Sequence, residues 1–308
     1  MSENITLSMR NLGGTGIQVT PIGLGVMQFS GGAGPFGAAF PVLTQEEKTS
    51  LVKTALEGGI NWFDTAEMYG MGQSERNLSQ ALQSLGVEVG SVVIATKWFP
   101  LFRTAHDIPR SIAERLKNLH PYPIDLYYIH QPYSFSSPEA EMDAMAKLAA
   151  AGKIGAVGVS NFSAERMRRA HAALAKHGLK LAANQVHYSL AHRQIESDGT
   201  LQTARELGIS IVAYTPLEYG LLTGNYHRNP TLLKQKPFFR RRGLQSRLEA
   251  TRPLITAMNW LIHFHGELVV TIPGATKASQ VAQNAGAMNF RLSEEELDEL
   301  DRLSRRFC

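Results

Sequence analysis

Residues 58–70 read GGINWFDTAEMYG. An apolar run through Trp62 and Phe63 reads as a buried strand, yet it ends on Asp64, and a phenol, Tyr69, follows five residues later beside a glycine. A carboxylate is costly to bury unless a cation or hydrogen-bond donors meet it. The strand therefore ends where polar groups are expected to gather, and the rest of the chain must supply a partner for Asp64.

Working outward, seven more runs have the same character: VTPIGLGV (19–26), SVVIATK (91–97), IDLYYIH (124–130), AVGVS (156–160), LAANQV (181–186), ISIVAY (209–214) and ELVVTIPG (267–274). They are apolar on successive residues, which suits strands buried on both faces, the habit of parallel sheets covered by helices. Between them lie amphipathic stretches with polar starts and closing glycines, such as 44–59, 74–86, 137–152 and 163–178, which predict helices. Eight β-then-α units in 308 residues predict an α/β fold, a closed (β/α)8 TIM barrel, as one domain over residues 1–308. An open dinucleotide-binding sheet would carry GxGxxG after its first strand, and GLGVMQFSGGAG (23–34) does not have that spacing.

Two segments fall outside the repeat. Residues 8–20, SMRNLGGTGIQVT, place two short strand-like pieces around Gly13 to Gly16, a hairpin signal that predicts a plug for the bottom of the barrel. Residues 224–250 form a long basic stretch containing Lys234 to Arg247, with Arg240, Arg241 and Arg242 together. A charge run is usually a solvated face, and a contact with an anionic cofactor is the sharper alternative.

Bulk properties narrow the classes. With 31 basic and 27 acidic residues the net charge is +4, too small for a general nucleic-acid footprint. The single cysteine, Cys308, permits no intrachain disulfide. The opening MSENITLSMR does not have the pattern of an export signal, and no apolar run approaches the roughly 20 residues that span a bilayer. The expectation is a soluble cytoplasmic protein acting on a small molecule, with no nucleic-acid or membrane partner.

In such a barrel the C-terminal strand ends build the site. Here they are Asp64, Lys97, His130, Ser160 with Asn161, Gln185 and Tyr214, on six successive strands. Neighbouring parallel strands lie about 5 Å apart, so Lys97 is the cation expected beside Asp64. An ammonium held there would favour the phenolate of Tyr69 and lower its pKa, while His130 would orient or help protonate a carbonyl.

DTAEMYG, the ATK of VVIATKWF, LYYIHQP, GVSNF and IPGATKASQVAQNAGA stand in an order and spacing that resembles the aldo-keto reductase family over essentially the whole chain. The resemblance implies an NADPH-dependent reductase of aldehydes or ketones with the barrel already expected. It implies a catalytic tetrad of Asp64, Tyr69, Lys97 and His130, with Tyr69 as general acid. It further implies that Ser160, Asn161 and Gln185 hold the nicotinamide carboxamide and that Tyr214 stacks under the ring. Pro216, Leu217, Gly220 and Gly274 would line the pyrophosphate and adenosine, and Lys277, Gln280, Gln283 and Asn284 would surround the ribose and its 2′-phosphate.

Departures from the family pattern matter too. His130-Gln131-Pro132 stands where a tryptophan often makes the pocket narrower, Gln283 stands where a glutamate often does, and the chain lacks the long C-terminal loop of many steroid-active members. These predict NADPH over NADH and disfavour large hydrophobic substrates. Phe29, Met68, Trp98, Phe99, Gln131 and Tyr133 are the candidate pocket walls. His263 and His265 have HxH spacing, but metal-dependent barrel hydrolases carry that motif on the first strand, so no metal site is expected. A cofactor-binding sensor with low turnover is the alternative from another functional class.

Overall fold

The structure is a computed structural model that describes residues 9–32, 41–235, 241, 244, 248 and 257–308. The eight apolar runs form eight parallel strands: β3 (Leu24–Gly25), β4 (Trp62–Asp64), β5 (Val93–Trp98), β6 (Leu126–Ile129), β7 (Ala156–Ser160), β8 (Leu181–His187), β9 (Ser210–Tyr214) and β10 (Val269–Thr271). Each pairs with its sequence neighbour. Parallel bridges between Ile22 and Thr271 and between Gly25 and Gly274 bring the first strand beside the last, giving the (β/α)8 barrel. The predicted run at 19–26 is divided in two: Pro21 has no N–H to give a ladder, and Val19 pairs elsewhere.

It pairs in the predicted hairpin. β1 (Arg10–Asn11) and β2 (Gln18–Val19) are antiparallel, with Arg10 opposite Val19. Leu12 and Val19 join Trp62, Leu126, Ala182 and Val270 in the barrel interior, so this end is filled by apolar side chains. Gly13 has φ +52°, and a Cβ there would sit 2.3 Å from the Ala182 carbonyl oxygen; only glycine lets the turn lie this close to β8.

The helices α1 (Gln45–Glu57), α2 (Gln73–Ser84), α3 (Ile108–Leu119), α4 (Pro138–Ala150), α5 (Ala164–Ala175) and α6 (Thr200–Leu207) alternate with the strands. They are followed by α7 (Asn225–Arg228), α8 (Ala257–His263), α9 (Ala278–Gly286) and α10 (Glu294–Ser304). A second, larger core lies between sheet and helices, with Phe63, Ile94, Tyr127, Val159 and Ile211 meeting Leu78, Ile112, Met145 and Leu174. Thr44, Ser137, Ser163 and Ser293 cap their helices as their sequence positions suggest. α2 differs: it begins after Gly72, at φ +80°, not at a serine cap. Ser74 instead donates to the Val26 carbonyl at 2.6 Å and accepts from Thr65 at 2.9 Å, pinning the loop after β4 to the end of β3. Among the described residues no helix is long and apolar enough to cross a membrane.

Candidate active site

Because the strands are parallel and in register, their last residues share one rim. Asp64 ends β4, Lys97 is the penultimate residue of β5, and His130 directly follows β6. All three are buried. Lys97 Nζ donates to Asp64 Oδ1 and, at 2.6 Å, to the Thr65 carbonyl. Gln185 Nε2 donates to the other Asp64 oxygen at 2.9 Å. The cation and donors that the burial of Asp64 demanded are therefore present. Burial pushes the Asp64 carboxyl up and the Lys97 ammonium down, and the attraction between them opposes both shifts.

Tyr69 reaches the same point from the loop after β4. Lys97 Nζ lies 5.2 Å from its ring centroid, and the His130 ring meets it edge-on at 5.7 Å. The expected lowering of the phenol pKa is not the net result here. Burial raises it most, followed by the negative charge of Asp64 and the neighbouring phenol of Tyr214. A raised pKa keeps the proton on Tyr69 at neutral pH. Burial and the charge on Lys97 hold His130 well below the ordinary imidazole range, so it is neutral. Its Nδ1 is buried with no hydrogen-bond partner among the described residues. A neutral imidazole and a protonated phenol, set against a cation, can meet an oxygen that gains negative charge.

The loop that carries Tyr69 is fastened by ions. Glu67 accepts from the Phe99 backbone at 3.1 Å, from Arg103, and from Arg115 at 3.0 Å. Arg115 also reaches Glu75 at 2.8 Å, and Glu75 accepts from Thr96 at 2.7 Å and Asn118 at 2.9 Å. Burial pushes the Glu75 carboxyl up to about 7 despite Arg115. Sequence reasoning missed this network. Glu67 lies inside the DTAEMYG motif, but nothing local marks Arg103 and Arg115 as its partners.

Residues 21–305 match the Aldo/keto reductase family. The chain belongs to it. It is 36% identical over 306 residues to an uncharacterized oxidoreductase of Mycobacterium tuberculosis (strain ATCC 25618 / H37Rv), covering 94% of this chain and 91% of that one. Among solved structures it is similar to the thermostable aldo-keto reductase Tm1743, crystallised with the inhibitor epalrestat, at 30% identity and TM-score 0.75, over 96% of this chain and 99% of that chain. It is also similar to an aldo-keto reductase from Klebsiella pneumoniae in complex with NADPH, at 28% identity and TM-score 0.72, over 97% and 96% of the two chains.

The aldo-keto reductase barrel carries a second polar group on the next strands. Asn161, at φ +58°, follows β7 and donates to Gln131 at 3.1 Å and to Ser160 at 3.2 Å, while its carbonyl accepts from Tyr214 at 3.2 Å. Ser160 donates to the Gln185 carbonyl at 2.8 Å. Ser160, Asn161, Gln185 and Tyr214 thus form one hydrogen-bonded arc that meets the Lys97–Asp64 pair through Gln185. Burial, with nearby phenols, pushes Tyr214 up to about 12.

Pro216, Leu217 and Gly220 lie in the loop after β9, where Thr215, Glu218 and Tyr219 all hold positive φ. Gly274 is exposed beside Gln28, whose amide would lie 2.3 Å from an added Cβ. Lys277 is exposed at the start of α9. Gln280 turns its side-chain oxygen back to the Thr276 and Lys277 backbone amides at 2.9 and 3.2 Å, so that oxygen already has a structural role. Gln283 is exposed and Asn284 is buried. Of the candidate walls, Phe99 packs edge-on to His130 at 5.9 Å, and Met68 and Gln131 are half-buried. Phe29 and Trp98 are fully buried in the core, Trp98 beneath Arg103 at 5.2 Å, while Tyr133 is exposed. Arg240 and Arg242 lie outside the described residues, as does most of the basic insertion. His263 and His265 turn to protein partners: His263 to the Asn259 carbonyl at 3.3 Å, His265 to Tyr188 at 2.8 Å.

Proposed function

We propose that this protein is an NADPH-dependent oxidoreductase that reduces aldehydes or ketones to alcohols, with Tyr69 as general acid. The observation that carries the proposal is the convergence of a phenol, a neutral imidazole and the buried Lys97–Asp64 pair on one point of the rim, next to the Ser160–Asn161–Gln185–Tyr214 arc. The donor set fits a nicotinamide: Asn161, Gln185 and Ser160 offer amide and hydroxyl groups suited to a carboxamide, and Tyr214 offers a flat ring. The NADPH complex of the Klebsiella pneumoniae relative supports the same cofactor here.

When bound, NADPH supplies the hydride that the carbonyl carbon receives. Tyr69 gives its proton to the carbonyl oxygen, and Lys97 lowers the cost of the phenolate left behind. His130 donates to the same oxygen and fixes its direction, and Asp64 holds Lys97 in place. Phe99, Met68 and Gln131 border the substrate. In this reading Lys277 and the neutral amide of Gln283, both exposed, receive the 2′-phosphate. The test is to incubate purified protein with NADPH and a panel of small aldehydes and ketones and to follow the reduced nicotinamide absorbance. A decline with at least one carbonyl is expected. A flat trace across the panel with cofactor bound would overturn the reductase in favour of a cofactor-binding sensor.

A further inference from the structure

Behind Tyr214 the structure holds an arrangement that the tetrad does not use. His187, in register beside Tyr214, stacks on it with ring centroids 5.4 Å apart and planes 13° apart. His192 stacks on His187 at 3.9 Å and 13°. His187 Nε2 is 2.7 Å from Glu218 Oε1, and the Ser189 hydroxyl donates to that same oxygen at 2.7 Å. Glu218 is fully buried and stands at φ +48°, in a loop where Thr215 and Tyr219 are also left-handed. Non-glycine residues hold such φ values only where surrounding contacts over-determine them.

We propose that His187, Glu218 and Ser189 form a positioning clamp for the Tyr214 platform. This inference rests on the NADPH reading above. The clamp ties the end of β8 to the strained loop that leaves β9, and its middle ring covers one face of Tyr214. A planar nicotinamide is then left the other face of a ring already fixed in place. A platform that must instead be ordered on binding costs about 0.5–1.5 kcal/mol for a freed side chain, or roughly two- to tenfold in affinity. His187 and Glu218 act through Tyr214 and touch neither substrate nor the reacting atoms.

The experiment titrates the full chain with NADPH, reading the quench and shift of nicotinamide fluorescence, for wild type, His187→Ala, Glu218→Ala and Glu218→Gln, with thermal melts run alongside. In His187→Ala and Glu218→Ala the NADPH Kd is expected to rise at least about threefold, with an altered emission of the bound cofactor, and kcat to fall by less than Kd rises. Glu218→Gln keeps an oxygen that accepts from His187 and Ser189 and recovers most of the affinity. If His187→Ala melts normally and binds NADPH with wild-type affinity and emission, the clamp is overturned while the cofactor reading stands. If wild type itself does not bind NADPH, the reading beneath it fails. Should the alanine variants fail to fold, Glu218→Gln decides alone: a Kd raised as far as about tenfold despite an intact melt overturns hydrogen-bond acceptance as the basis of the clamp, and near-wild-type affinity supports it.

Discussion

Lys97 and Arg193 are both buried cations, and their surroundings are built in opposite ways. All three guanidinium nitrogens of Arg193 are occupied: Nε and Nη2 on Glu196 at 2.8 and 2.6 Å, Nη2 on Asp301 at 2.6 Å, and Nη1 on Ser304 at 2.6 Å and the Asp301 carbonyl at 3.1 Å. Trp260 lies under its plane at 4.8 Å. Burial works against the charge, but the Glu196 and Asp301 contacts carry its pKa above that of a free guanidinium. Lys97 has one carboxylate and one carbonyl, with the rings of Tyr69 and Tyr128 at 5.2 and 5.9 Å, and burial draws its pKa down. A charge fully answered by its neighbours fixes structure; here it binds α10 to the loop after β8. A charge left partly answered retains interaction for something that arrives later.

The contrast is tested first where the effect is largest. Tyr69→Phe removes only the proton donor beside Lys97, and positioned general acids contribute about 10²–10⁴-fold. Carbonyl reduction should fall by that factor in kcat while NADPH binding and the melting temperature hold, because the phenol acts where charge develops in the transition state. Steady-state kinetics with cofactor titration and a thermal melt check this. A variant that keeps most of its kcat removes Tyr69 from the mechanism.

Arg193→Ala should do the reverse. It leaves Glu196 and Asp301 without their shared cation, and removing one partner of a buried pair costs about 3–5 kcal/mol. Denaturant unfolding should show that loss, while the protein that remains folded should reduce carbonyls with wild-type kcat. If kcat falls in step with stability, the two buried cations are not separable, and the rim depends on how α10 is docked.

The same contrast explains what could be read in advance. The barrel was legible because eight doubly buried strands leave a run-length and spacing signal, and the polar cluster at its rim was legible because a strand that ends on Asp64, Lys97 or His130 breaks that signal. Arg193 was not, because its partners Asp301 and Ser304 lie more than 100 positions away and a lone arginine carries no mark of which carboxylate it will meet. Glu67 and Glu218 stayed hidden for the same reason. Phe29 and Trp98 show the opposite error: aromatic residues near strand ends look like pocket walls, but these two close the core beneath the rim. The sign of the Tyr69 shift also lay beyond the sequence, since it is set first by how deeply the phenol is buried.

A third kind of cation gives the smallest expected effect. Lys277 is exposed at the start of α9, so it contributes little to the fold, and the proposed function gives it the choice between ligands. Gln280, Gln283 and Asn284 follow it with no carboxylate from 277 to 284, and a 2′-phosphate brings close to two negative charges. One charge-assisted contact is worth roughly ten- to hundredfold in affinity. Lys277→Glu should therefore weaken NADPH by about that factor, change NADH little, and leave both kcat at saturating cofactor and the melting temperature near wild type. Fluorescence titration of both cofactors against wild type and variant reads the difference directly. Equal weakening of the two would mean that Lys277 senses the shared diphosphate and not the 2′-phosphate. A wild type that prefers NADH would show that this exposed charge, unlike the two buried ones, does not discriminate at all.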